Sequence, residues 1–189
     1  MTHRFVIMGP QGSGKGTQGA RLAEHYGIPA ISTGDIFRAN IAEGTELGRL
    51  AETYTGAGEL VPDEVTNDMV RERLARPDTA EGFILDGYPR NAAQVVALDE
   101  ILADRGGLDA VVELTAERSE LLARIARRAE IEGRADDTED AIGRRLDIYD
   151  EQTAPLSDAY AARGLLVQVD GLGDVETVTE RIIEALAAR

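Results

Sequence analysis

Short apolar segments alternate with longer amphipathic segments along almost the whole chain, and this alternation limits the fold more than any other feature. Strands are predicted at residues 5–8, 28–31, 83–85, 111–114 and 165–169, each followed by helical spacing. Short, continuous apolar strands separated by helices are typical of a parallel sheet covered on both faces. The sequence therefore predicts a three-layer α/β fold with right-handed crossovers between the strands.

Two segments interrupt the alternation. Residues 32–61 show helical patterns and several glycines without a strand, and residues 127–137 are polar and highly charged. Both are predicted to extend from the core, although the composition of 127–137 is equally that of a solvated loop. The predicted core then consists of residues 1–31, 62–126 and 138–189.

Composition excludes several classes of protein. The chain has 189 residues, 43% of them hydrophobic, which suffices for one domain with a buried core. It has no cysteine and two histidines, which excludes disulfides and thiolate metal sites and argues against a Ser-His-Asp hydrolase. Its formal net charge of −15 disfavours nucleic acids and anionic membranes as partners. Because neither a membrane span nor a secretory signal is recognisable, a cytoplasmic location is expected.

The only lysine of the chain lies in a glycine-rich loop. Lys15 belongs to the segment Gly9-Pro10-Gln11-Gly12-Ser13-Gly14-Lys15-Gly16-Thr17, between the first predicted strand and the first predicted helix. In such a loop the backbone N–H groups and the helix N-terminus surround a polyphosphate, and the lysine reaches its β- and γ-phosphates. We call Gly9–Thr17 the phosphate loop. The usual contact of Mg²⁺ with a hydroxyl directly after the lysine is in doubt, because residue 16 is glycine.

A phosphate loop serves GTPases, motor ATPases and small-molecule kinases. Guanine-specific GTPases of the Ras type carry an Asn-Lys-x-Asp element, which this chain cannot contain because its single lysine is already in the phosphate loop. The remaining motifs must therefore decide between the other classes.

Five motifs in a fixed order make the chain resemble the adenylate kinases, within the nucleoside monophosphate kinases, over essentially its whole length. They are Gly9–Thr17, Ser32–Arg38, Gly58–Val61, Phe83–Arg90 with Gln94, and Gly133–Asp137. The resemblance implies a P-loop kinase fold with a five-stranded parallel sheet flanked by helices and two small mobile flaps. Residues 32–61 would be the AMP flap and residues 127–137 a short lid. It also implies reversible, Mg²⁺-dependent transfer of a phosphoryl group from ATP to AMP, giving two ADP.

The resemblance assigns roles residue by residue. The implied ATP site comprises Gly12, Ser13, Gly14, Lys15, Gly16, Thr17, Arg124, Arg128 and Gly173. The implied AMP site comprises Thr33, Arg38, Glu59, Leu60, Val61, Gly87, Tyr88, Pro89, Arg90, Gln94, Arg134 and Arg145. The implied catalytic residues are Lys15, Arg38, Arg90, Arg128, Arg134 and Arg145. Asp86 would orient Mg²⁺ through water, with a structural cap as the alternative role.

The chemistry of these side chains suits the implied roles. Arg38 and Arg90 offer paired N–H donors for a phosphate, and the amide of Gln94 can match an adenine edge. Asp136 and Asp137 are hypothesised to steady the lid arginines. Because the lid is short and the chain lacks cysteine, no zinc site is expected. Arg127 and Arg144 are expected to be merely solvated.

Two alternatives remain open. A kinase that prefers UMP or CMP would share the fold, but Gln94 and Thr33 favour AMP. A regulatory module that binds nucleotide without turnover would not need the full set of arginines. The implied partners are the small molecules ATP, AMP and ADP, and the protein is expected to be a monomer.

Overall fold

A five-stranded parallel sheet forms the centre of the computed structural model, which describes residues 2–134 and 137–189. All pairings between neighbouring strands are parallel, and the strand order is β2-β3-β1-β4-β5. This confirms the predicted sheet. The strands are β1 (His3–Met8), β2 (Ala30–Ser32), β3 (Gly82–Asp86), β4 (Ala110–Thr115) and β5 (Leu166–Asp170).

Helices connect the strands and flank the sheet. The α-helices are α1 (Lys15–Tyr26), α2 (Thr33–Glu43), α3 (Glu46–Thr55), α4 (Asp63–Leu74), α5 (Ala92–Ile101), α6 (Arg118–Glu132), α7 (Glu139–Ile148), α8 (Leu156–Ala162) and α9 (Val175–Ala187). A π-helical segment, Tyr149–Thr153, joins α7 to α8, and single 3₁₀ turns occur at Pro77–Thr79 and Ala103–Arg105. Among the described residues, none of these helices is long and apolar enough to cross a membrane.

The sheet separates two hydrophobic clusters. Val6 and Leu85 belong to one cluster, whereas Ile7 and Ile84 belong to the other, and all four are at most 2% exposed. Successive strand residues point to opposite faces, so apolar residues are required at consecutive positions when helices cover both faces. This explains why β1 and β3 each contain consecutive buried apolar residues.

Within residues 32–61, Ser32 ends β2, and α2 and α3 follow as a helical pair. Phe37, Ala51 and Val61 form a small hydrophobic cluster of their own. The helices touch at Gly48, where an added Cβ would lie 2.0 Å from the carbonyl oxygen of Asn40. Helix α6 continues to Glu132, so the first part of residues 127–137 is helical.

The parallel strands all end at the same edge of the sheet, and the predicted ligand-binding elements lie there. The phosphate loop follows β1, and Asp86 is the last residue of β3. In the sheet Asp86 is aligned with Ile7 of β1 and Ser32 of β2. Open parallel sheets bind ligands at the carboxyl ends of their strands, so the fold places a site at this edge.

Candidate active site

A large cleft of about 1270 Å³ opens at the carboxyl edge of the sheet. Its lining includes the phosphate loop, the segment after β3, the inner side of α2 and α3, and parts of α6 and α7. Within the described residues, Lys15 and seven arginines line it, although the chain as a whole is acidic. The cationic side chains are Lys15, Arg38, Arg90, Arg124, Arg127, Arg128, Arg134 and Arg145.

The phosphate loop is held tightly against α6. A Cβ at Gly12 would lie 2.9 Å from Cγ1 of Ile125 and 2.9 Å from the carbonyl oxygen of Leu121. Gly14 precedes α1 with φ +96°, a left-handed conformation that favours glycine, and no side chain caps the helix there. The first N–H groups of α1 therefore face the cleft without a side-chain cap, which suits an anionic ligand.

Lys15 lies within this concentration of positive charge. Burial lowers the pKa of its ammonium group from 10.5 to about 8, while the charge of Asp86 opposes the shift. The charges of Arg90, Arg128 and Arg134 lower the pKa further, so these three arginines are close enough to repel Lys15. The Nζ atom lies 3.4 Å from the carbonyl oxygen of Pro10. The cleft thus holds several converging cations that a polyanion would neutralise.

Asp86 supplies negative charge at the centre of the cleft. A Cβ at Gly16 would lie 3.7 Å from Oδ2 of Asp86, so glycine leaves space beside this carboxylate. The described residues contain no cluster of three or more acidic, histidine or cysteine side chains that could hold a metal alone. Mg²⁺ is commonly bound by one or two carboxylates together with the phosphates of the substrate. Asp86 fits a magnesium ion that enters with a nucleotide.

The segment after β3 forms the other half of the cleft around Gly87. The hydroxyl of Thr33 donates to the Gly87 carbonyl oxygen at 3.1 Å, and Nε of Arg90 donates to the same oxygen at 2.7 Å. Burial is the main cause that lowers the pKa of Arg90, and the charges of Arg145 and Arg38 act in the same direction. Three arginines from α2, α7 and this segment therefore approach one point.

Gln94 is buried, with 2% of its surface exposed, and lines the cleft. Its Oε1 accepts from the Arg90 backbone N–H at 2.8 Å, and its Nε2 donates to Oδ1 of Asp63 at 2.9 Å. These bonds fix the orientation of the amide. An amide carries two N–H donors and two acceptor lone pairs, so one donor and one acceptor position remain for a ligand.

The remaining residues of the implied AMP site also line the cleft. Arg38 forms an ion pair with Asp35, and the Tyr88 hydroxyl donates to Asn67 at 2.7 Å. Glu59 is exposed, whereas Val61 is buried against Phe37. The lining includes Thr33, Arg38, Glu59, Leu60, Val61, Gly87, Tyr88, Pro89, Arg90, Gln94, Arg134 and Arg145.

The donor side of the cleft extends from the phosphate loop to the segment after β5. Arg124 bridges them: Nη2 donates to the Gly171 carbonyl oxygen at 3.0 Å, and Nη1 lies 3.5 Å from that of Ser13. Gly173 lines the cleft beyond this bridge. Arg134 forms an ion pair with Glu132.

Asp137 joins two of the cleft arginines. Its side chain is 0% exposed, Oδ2 accepts from Nη2 of Arg128 at 2.7 Å, and Oδ1 accepts from Nη1 of Arg145 at 3.0 Å. These contacts agree with the hypothesis that Asp137 steadies the lid arginines, which stays a prediction. Asp136, to which the same role was assigned, lies outside the described residues.

Two contacts connect residues 32–61 with α7. Nη2 of Arg145 donates to the Thr55 carbonyl oxygen at 3.0 Å, and Arg144 forms an ion pair with Glu59 at 2.8 Å. Arg144 is 44% exposed, as expected of a solvated residue, and in addition it pairs with Glu59. Arg127, for which the same expectation was stated, is exposed and lines the cleft.

Asp63 and Asn91 support the site, although neither was predicted from the sequence. Asp63 accepts from both Gln94 and Asn91, and Asn91 caps α5 by accepting from the Gln94 backbone N–H at 2.9 Å. An asparagine just before a helical segment is a capping signal and could have been recognised. No local pattern signals Asp63, because its role depends on a contact between α4 and α5.

Comparison with known proteins agrees with this geometry. The family model for adenylate kinase matches residues 7–165. An adenylate kinase of Kocuria rhizophila is 61% identical over 184 residues, covering 97% of this chain and 98% of that protein. One of Bifidobacterium longum is 61% identical, covering 97% and 99%, and one of Thermobifida fusca is 54% identical, covering 98% and 99%. The chain belongs to the adenylate kinase family.

Proposed function

We propose that this chain, an ATP:AMP phosphotransferase by its family, carries out the transfer between the two halves of the cleft. The observation that carries the assignment is the convergence of cations from both halves. Arg90 and Arg128, which come from opposite halves, both lower the pKa of Lys15. A site with this charge suits two phosphate chains that meet end to end, because phosphoryl transfer depends on alignment and neutralisation of charge.

The donor half would bind ATP. Backbone N–H groups of Gly12–Thr17 and the ammonium group of Lys15 would hold the β- and γ-phosphates. Arg124 and Gly173 would lie along the nucleoside, and Arg128 would close over the phosphates. This assignment is supported by the packing of the phosphate loop on α6 and by the bridge from Arg124 to Gly171.

The acceptor half would bind AMP. Arg38 and Arg90 would hold its phosphate, and Gln94 would read the adenine with the donor and acceptor that its internal bonds leave available. Thr33, Gly87–Pro89 and the segment Glu59–Val61 would enclose the nucleoside. The contacts of Gln94 with Arg90 and Asp63 support this role, because they hold the base-reading group and the phosphate-binding group together.

The reaction needs little covalent help from the protein. An oxygen of the AMP phosphate attacks the γ-phosphorus, the bond from that phosphorus to the β,γ-bridging oxygen breaks, and its electron pair leaves with ADP. The AMP phosphate is already anionic, so no strong general base is required. Lys15, Arg90, Arg128, Arg134 and Arg145 would neutralise the charge on the transferred group. Mg²⁺, oriented by Asp86 through water, would neutralise further phosphate charge.

Closure would keep water from accepting the phosphoryl group. In this proposal residues 32–61 are the AMP flap, residues 127–137 are the lid, and the rest is the core. Arg144 and Arg145 of α7 contact the AMP flap, which supports movement of the AMP flap together with the segment that follows the lid. A monomeric state stays a prediction. A cytoplasmic location stays a prediction.

A panel of acceptors tests the assigned specificity. With Mg-ATP, we expect kcat/KM to be highest for AMP and at least tenfold lower for UMP, CMP and GMP. Gln94→Leu removes both groups that would contact adenine, so kcat/KM for AMP should fall by roughly 10- to 100-fold. A coupled assay of ADP formation measures kcat/KM for each combination of enzyme variant and acceptor nucleotide.

Asp63→Asn is the matched variant for this experiment, because it preserves the size of the residue that anchors Gln94 while removing its charge. It should reduce AMP turnover less than Gln94→Leu does. Faster turnover with UMP or CMP than with AMP would overturn the role of Gln94 and support the alternative kinase. Absence of transfer to every acceptor would support the regulatory module instead.

The lowered pKa of Lys15 predicts a pH dependence of ATP binding. Without nucleotide the ammonium group loses its proton near pH 8. Bound phosphates favour the protonated form, so the pKa should be higher in the complex. The affinity for Mg-ATP should therefore be constant below about pH 8 and fall by up to about tenfold per pH unit above it.

Calorimetric titration with Mg-ATP at pH 9, in buffers of different ionisation enthalpy, measures the proton uptake directly. Wild-type protein should take up close to one proton per nucleotide, and Lys15→Met should take up none from this group. Affinity that stays constant from pH 7 to 9.5 would contradict uptake of a proton by Lys15 on binding.

A further inference from the structure

Gln11 connects the phosphate loop to the lid. Its side-chain Nε2 donates to Oδ1 of Asp137 at 2.9 Å, across 126 residues of sequence. A carboxylate only accepts hydrogen bonds, so this contact fixes which end of the Gln11 amide faces Asp137. The other end, Oε1, is buried and has no hydrogen-bond partner among the described residues. The amide is therefore oriented by Asp137, and its only acceptor atom has no partner among the described residues.

Asp137 is the point at which three elements meet. Its fully buried carboxylate is also bonded to Arg128 of α6 and Arg145 of α7. A buried carboxylate is tolerated only when partners compensate its lost hydration. The arginines provide charge, and Gln11 provides the bond from the phosphate loop. Through this bond the position of the loop determines the position of a carboxylate that orients two cleft arginines.

We propose that Gln11 is a positioning residue that holds Asp137, and with it Arg128 and Arg145, over the phosphate loop before nucleotide binds. The inference rests on the proposed function, because that function assigns the two arginines to phosphoryl transfer. Gln11 acts through Asp137 and has no catalytic contact of its own. Loss of the bond should loosen the lid while leaving the core intact.

The kinetic test is a double-mutant cycle with Gln11→Met and Asp137→Ala. Methionine preserves the length of the side chain but cannot donate to the carboxylate. In the wild-type background Gln11→Met should lower kcat by roughly tenfold and raise the share of ATP hydrolysed to orthophosphate. In the Asp137→Ala background the same substitution should change kcat by less than twofold. Equal effects in both backgrounds would overturn the proposal.

Hydrogen exchange tests the same contact without turnover. In nucleotide-free protein, Gln11→Met should accelerate exchange of amides in residues 127–134 and 137–139, and it should not add to the acceleration caused by Asp137→Ala. Unchanged exchange in Gln11→Met would overturn the role of Gln11 even if the enzyme transfers phosphate as proposed. If the wild type transferred no phosphate to AMP, the proposed function would fail. The exchange measurement would still test whether the Gln11–Asp137 hydrogen bond orders the lid.

Two further variants test whether the effect is specific to the Gln11–Asp137 contact. Gln152→Met is the control, because Gln152 is an exposed glutamine outside the lining of the cleft, and it should leave kcat and exchange unchanged. Gln11→Glu keeps the size of the residue but places a like charge against Asp137, so it should accelerate exchange at least as much as Gln11→Met. Slower exchange in Gln11→Glu than in wild type would contradict the proposal.

Discussion

Lys15→Met is expected to lower turnover by on the order of 10³-fold while the protein stays folded. The ammonium group of Lys15 is the only side-chain cation of the phosphate loop, so its loss removes the charge that would contact the β- and γ-phosphates from within the loop. The same variant should be at least as stable as the wild type. Burial lowers the pKa of Lys15 to about 8, so the folded protein holds this charge at a cost that methionine removes.

The two readouts for Lys15→Met are the initial rate of ADP formation and the midpoint of thermal unfolding at pH 7. A large loss of turnover with an unchanged or higher midpoint is the expected combination. Turnover within tenfold of the wild type would show that the phosphate loop is not the donor site. A sharply lower midpoint would show instead that the ammonium group stabilises the fold.

Arg90→Ala should reduce kcat/KM for AMP by roughly 10²- to 10³-fold while the affinity for ATP changes little. Nε of Arg90 is bonded to the Gly87 carbonyl oxygen, which directs the rest of the guanidinium into the cleft. Its backbone is anchored by Gln94 on one side and by the hydroxyl of Thr153 on the other. The effect should therefore come from the lost phosphate contact and not from a displaced segment.

Arg90→Lys separates charge from geometry. Lysine keeps the charge but cannot offer the paired donors of a guanidinium, so its kcat/KM should lie between those of Arg90→Ala and the wild type. Arg71→Ala is the matched control, since Arg71 is exposed and paired with Asp68 on α4. Steady-state kinetics with each nucleotide varied in turn measure the effects. An equal loss of ATP and AMP affinity in Arg90→Ala would contradict the division of the cleft into two halves.

Much of the fold could be predicted because it depends on local patterns. The central strands β1, β3 and β4 are largely apolar, and the phosphate loop is marked by glycines around the single lysine. The sheet edge then follows from parallel pairing, which places Asp86 beside the end of β1. The family resemblance identified the other cleft residues, and the structure brings them to one cleft.

The supporting contacts could not be predicted, because they join residues that are distant in sequence. Gln11 and Asp137 are 126 residues apart, and Glu59 and Arg144 are 85 apart. Neither pair lies in a pattern with a helical or strand period. The burial of Asp137 is equally invisible in a segment whose composition indicates a solvated surface. Such contacts depend on how residues 32–61 and 127–137 pack against the core, which no local sequence pattern encodes.

Phosphorus NMR of the protein with Mg-ATP and AMP distinguishes direct phosphoryl transfer from hydrolysis, because it follows every phosphate in one sample. We expect ATP and AMP to disappear in equal amounts, two ADP to form for each pair, and orthophosphate not to accumulate. Omitting AMP should stop the consumption of ATP. Orthophosphate release at a rate comparable with ADP formation, or no reaction with AMP, would contradict direct transfer within the cleft.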